Sequence, residues 1–115
     1  GAGPRHLVMD PTGRFLYVTL NSEGLVAKID LHIGEVVARV ATGRAPRSMT
    51  ISGDGTALYV VNYDSDTVAK VATNAMAVLQ TLPVAHHPIG ITFDDATRRV
   101  WVSSYSGVIT VFDER

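Results

Sequence analysis

Two arginines, Arg5 and Arg47, stand forty-two positions apart, and each follows a proline, in "GPRH" (3–6) and "APRS" (45–48). Guanidinium groups presented alike from neighbouring units can grip a carboxylate or phosphate through paired hydrogen bonds. One further step along, the same place is taken by Ile89. Near these arginines in the pattern lie His6, Arg44, Asn62, Tyr63, the pair His86-His87, and Tyr105. Together they form a candidate ligand-binding set for an anion. The competing use of the arginines is to bond carbonyls or acidic loop residues of the neighbouring unit.

Other chemistries are weaker. Adjacent residues of an extended chain point to opposite sides, so His86 and His87 are not expected to converge on a metal. No His/Asp/Glu set at ligand spacing accompanies them, and neither a metal nor another cofactor is expected. His6 could act as an acid or base, or serve as a hydrogen-bonded residue at a strand start. "DSD" (64–66) and "SGDG" (52–55) read as turns, because a calcium loop needs more oxygen ligands and a phosphate cradle needs a helix N-terminus with a lysine. No G-x-S-x-G or S-x-x-K signals an activated serine, and no catalytic residue is assigned. Tyr63 and Tyr105 could stack on bases beside the arginines, or lie against a neighbouring unit.

Composition narrows the partners. Ten basic and eleven acidic residues leave a formal charge of -1, so no overall field recommends nucleic acid or an acidic membrane. With 46% hydrophobic residues among 115, the chain suffices for a packed core. No apolar run approaches the roughly 20 residues that cross a bilayer, and "GAGPRHLVMD" lacks signal-peptide regions. The absence of cysteine excludes disulfides and thiolate chemistry while leaving the compartment open.

The elements that position these side chains follow from an internal repeat. Pro4, Pro46 and Pro88 recur at forty-two residues, as do Tyr17, Tyr59 and Trp101, and "LYVTLNSEGLVAKI" (16–29) returns as "LYVVNYDSDTVAKV" (58–71). The third copy drops one residue, after which "GVITVFD" (107–113) matches "GLVAKID" (24–30). The units run 3–44, 45–86 and 87–115. Within each, apolar residues alternate between turn residues every 8 to 12 positions, a strand rhythm. Strands are predicted near 5–9, 15–20, 25–30 and 35–40, then 47–52, 57–62, 67–72 and 76–82, then 89–93, 99–104 and 108–113. The stretch 73–82 would tolerate a helix in isolation, but its place in the repeat makes it an outer strand. Four-stranded antiparallel units of this length are β-propeller blades, so the chain is predicted all-β, a partial ring whose third blade lacks a fourth strand. The aromatic at positions 17, 59 and 101 is expected between blades.

At "LYVTLN" (16–21), "LYVVN" (58–62) and "VWVSS" (100–104), with the "VATGRAP" link (40–46), the chain resembles the YVTN-repeat β-propeller family. The resemblance implies a ring that is usually seven-bladed and often extracytoplasmic. It embraces surface-layer proteins, nucleic-acid-binding proteins, lactonase-like enzymes and cofactor-bearing oxidoreductases. Closed propellers need at least about four blades. The expectation is therefore a scaffold segment completed by other blades of a parent chain or by self-association. The alternatives are a lactonase-like hydrolase with reactive groups on blades outside the segment, and a single-strand nucleic-acid binder.

Overall fold

A carboxylate closes the first hairpin in each of the first two blades. In the computed structural model, which describes residues 3–114, Asp10 accepts the amides of Arg14 and Phe15 at 2.9 Å each and the Thr12 hydroxyl at 2.7 Å. In the second blade Ser52 takes the Asp10 step, and Asp54, at the Thr12 step, accepts Ser52 Oγ, the Thr56 amide and Thr56 Oγ1. Those three donors, the Ser52 hydroxyl foremost, hold the Asp54 carboxyl down to about 2.

Strands β1 (Pro4–Met9), β2 (Phe15–Leu20), β3 (Leu25–Asp30) and β4 (Glu35–Ala41) make the first blade. The second comprises β5 (Pro46–Ile51), β6 (Ala57–Asn62), β7 (Thr67–Ala72) and β8 (Ala77–Pro83). The third holds β9 (Pro88–Asp94), β10 (Arg99–Ser104) and β11 (Ile109–Asp113). Each sheet is antiparallel and ordered as the chain runs. The predicted outer strand at 76–82 is β8, and no α-helix occurs among the described residues. Pairing along the edge of β7 fixes this segment as strand, where local propensity alone would have accepted a helix.

Blades pack face to face. Tyr17 and Val26 of the first meet Met49, Leu58 and Val60 of the second. Ala57, Tyr59 and Val61 of the second meet Val100 and Val102 of the third. Tyr59 stacks on Phe93 at 5.6 Å, and burial in this seam pushes its phenol up to about 12. Polar ties cross the same seams: Lys28 Nζ donates to the Thr73 carbonyl at 2.8 Å, and Lys70 reaches Glu114 at 3.3 Å. The third aromatic departs from expectation. Tyr17 and Tyr59 are 1% and 3% exposed, whereas Trp101 is 41% exposed, because its side of the sheet faces no further blade in this segment.

Candidate functional site

The two arginines owe their position to a repeated irregularity. Register slips between Pro4 and Leu7 on β1, leaving Arg5 and His6 opposite Thr19 alone, and it slips identically between Pro46 and Met49 on β5. Such bulges turn side chains out of the pleat. Arg5 is exposed and Arg47 half-buried. Neither takes part in an ion pair among the described residues. Arg47 places its guanidinium carbon over the Tyr63 ring at 5.0 Å, and no side-chain hydrogen bond of Arg47 occurs among the described residues.

Tyr63 begins a stack that the sequence did not show. Its ring lies parallel to His87 at 4.1 Å and 3°, and His87 lies against His86 at 3.7 Å. The expectation that the two histidines diverge is corrected by one dihedral. His87 has φ +53°, the left-handed conformation, and this brings both rings to one side. The same conformation occurs one and two repeats earlier at Ala45 and Gly3. The reason is a shared bond: the carbonyls of Gly3, Ala45 and His87 accept the amides of Asn21, Tyr63 and Tyr105 at 2.8, 3.0 and 2.8 Å.

Asp66 anchors the far end. It accepts the His87 amide at 2.9 Å and meets His86 Nδ1 at 3.0 Å. The His87 amide first, and then the His86 ring, hold its carboxyl below the usual value. Asp66 also has positive φ, where the neighbouring blades place Gly24 and Gly107. An acidic residue at a glycine step was the available signal for this partner, and "DSD" was read only as a turn.

The remaining candidates scatter. His6 faces its neighbour rather than the solvent, since its Nδ1 accepts the Met49 amide at 2.9 Å. Arg44 donates to the Asp64 carbonyl at 3.0 Å, beside a cleft lined by Asn21, Gly24, Ala45 and Asp64. Asn62 is not available to a ligand. It is fully buried, bonded to Thr42 and Thr67, and packed so tightly on Gly43 that a Cβ there would lie 2.6 Å from the Asn62 amide carbon. Tyr105 is 76% exposed on the face beside His87.

The profile described as the cytochrome D1 heme domain matches residues 6–114. The chain belongs to this family. Among solved structures it resembles hydrazine synthase of Kuenenia stuttgartiensis, at 28% identity and a TM-score of 0.93, over 97% of this chain and 33% of that one. A putative 6-phosphogluconolactonase of Bacteroides uniformis matches at 24% identity and 0.90, over 99% of this chain and 37% of that one. The dihydro-heme d1 dehydrogenase NirN, in complex with DHE, matches at 18% and 0.79, over 96% and 28%. The last two show the fold alone, a β-propeller. The chain spans about a third of the length of these proteins. No curated protein matches it.

Among the described candidate histidines, His6 and His86 differ in what they offer a heme iron. Because His6 Nδ1 accepts the Met49 N–H, the tautomer that makes this bond carries its own N–H on Nε2 and offers a metal no lone pair. His86, with Asp66 at Nδ1, directs Nε2 away from that bond in the manner of metal-bound imidazoles, and its side chain is 67% exposed in this arc. The apolar cleft lies elsewhere, on the third blade around Trp101, and measures about 260 Å³.

Proposed function

We propose that the chain is one arc of a larger closed β-propeller acting as a ligand-binding scaffold, with Arg5 and Arg47 gripping a carboxylate- or phosphate-bearing molecule at the channel end. One observation carries this reading: repeat-equivalent bulges on β1 and β5 present both guanidinium groups with no carboxylate partner among the described residues. Tyr63 steadies Arg47 from behind. Other blades complete the ring, since the sheet faces around Leu7 and Trp101, 58% and 41% exposed, are apolar. The "LYVTLN" and "LYVVN" motifs support a finer placement among YVTN-type propellers.

Calorimetric titration of the intact protein with citrate and with inorganic phosphate tests the site. Arg5→Ala and Arg47→Ala should each weaken binding about tenfold or more, the loss of one charge-assisted grip. Unchanged affinity in both variants retires it. Binding of an oligonucleotide that falls steeply between low and moderate salt would instead favour the nucleic-acid alternative.

A heme-bearing oxidoreductase is the second reading, favoured by the family profile and by likeness to a dihydro-heme d1 dehydrogenase. Its iron ligand would be His86, held through Nδ1 by Asp66, or a residue outside the described ones, and the reactive groups of a lactonase-like hydrolase would lie outside them. A heme absorption band in the purified intact protein decides for the first of these.

A further inference from the structure

At each of the two blade junctions a strand hydroxyl of one blade donates to a main-chain carbonyl of the next blade. Thr19 Oγ1 of the first blade donates to the Arg47 carbonyl at 2.9 Å. At the equivalent step the second blade has Val61, which has no hydroxyl, and Ser48 supplies it instead, donating to the Ile89 carbonyl at 2.6 Å. Arg47 and Ile89 are themselves one repeat apart. The acceptor is therefore constant, while the donor moves between paired strands.

The third blade repeats the first arrangement with its acceptor missing. Ser103 stands at the Thr19 step and Gly90, its strand partner, at the Ser48 step. A Cβ on Gly90 would lie 2.5 Å from Ser103 Oγ, so the glycine leaves the space that the hydroxyl fills. No hydrogen bond among the described residues uses that hydroxyl. It borders the cleft formed with Ile91, Trp101, Val102 and Ile109. The lysine that crosses the two earlier seams is replaced here by Val111, which needs no polar group opposite.

We propose that Ser103 is the tie to a fourth blade of the same polypeptide. That blade presents a main-chain carbonyl at the Arg47/Ile89 step, an apolar residue at the Met49/Ile91 step covering Trp101, and apolar surface against Val111. The inference rests on the reading of the chain as one arc of a larger ring, and commits further to which atoms close the next junction.

The test uses the intact natural polypeptide. Emission isolated as the difference between the wild type and Trp101→Phe should be shielded from iodide. Ser103→Val should lower Tm by about 2–4 °C, as loss of a single net hydrogen bond does. Adding Gly90→Ser, which copies the second blade, should recover it. Shielded emission with a silent Ser103→Val overturns the tie and leaves the ring reading intact. Free quenching of Trp101 overturns the ring reading itself. Shielding that appears only with self-association assigns the face to a second copy of the chain and overturns the fourth blade.

Discussion

The imidazole of His6 accepts the main-chain N–H of Met49 at 2.9 Å, across the boundary between the first and second blades. Met49 is buried, so no water replaces the acceptor if the ring is removed. His6→Ala is expected to cost about 1–3 kcal/mol, the penalty for an orphaned buried donor. His6→Asn, whose side-chain oxygen can take the place of Nδ1, should recover much of it. Urea denaturation followed by tryptophan emission measures both.

The stack at the second link makes an opposite pair of demands on His87. Its left-handed φ costs any side chain about 1–2 kcal/mol relative to glycine, while its ring is held between Tyr63 and His86. His87→Gly should therefore be more stable than His87→Ala by about 1 kcal/mol, since both lose the ring and only alanine keeps the strain. Equal midpoints for the two variants would refute this account.

Acid should loosen the hairpin that Asp54 closes. Its folded pKa, about 2, lies below the unfolded value of 3.8, so the stabilisation is complete above about pH 4 and disappears as pH falls toward 2. Asp54→Asn should flatten the dependence of the unfolding midpoint on pH across that window. A wild-type slope retained in the variant would place the acid sensitivity elsewhere.

Apolar faces at both ends of the arc should drive association when the 115-residue polypeptide is isolated. Sedimentation should show species larger than a monomer. Trp101→Lys together with Ile109→Lys, on residues 41% and 65% exposed, should shift the distribution toward monomer. A monodisperse wild-type monomer would contradict the expectation.

Much of the architecture was readable in one dimension. Tyr17 and Tyr59 recur because each fills a seam, and Pro88 marks β9 as Pro4 and Pro46 mark β1 and β5. The candidate face was only partly readable. Asn62 was read as a ligand-binding candidate at the end of its strand and is instead locked between Thr42 and Thr67. Asp66 passed as turn chemistry, and its role emerges only when residue 87 comes back beside it. The hydroxyl exchange between Thr19 and Ser48 was equally hidden, because each acceptor lies in the following blade.

Recurrence and alternation by themselves determined that this protein is built of like antiparallel sheets stacked by their faces, since strand pairing and burial of every second side chain leave a periodic imprint along the chain. Tertiary structure alone decided which polar groups meet. The direction of His86 and His87 depends on the sign of one dihedral, and that sign accompanies a bond in which the Tyr105 amide donates to the His87 carbonyl, across the β9–β10 hairpin whose two ends a linear reading does not bring together.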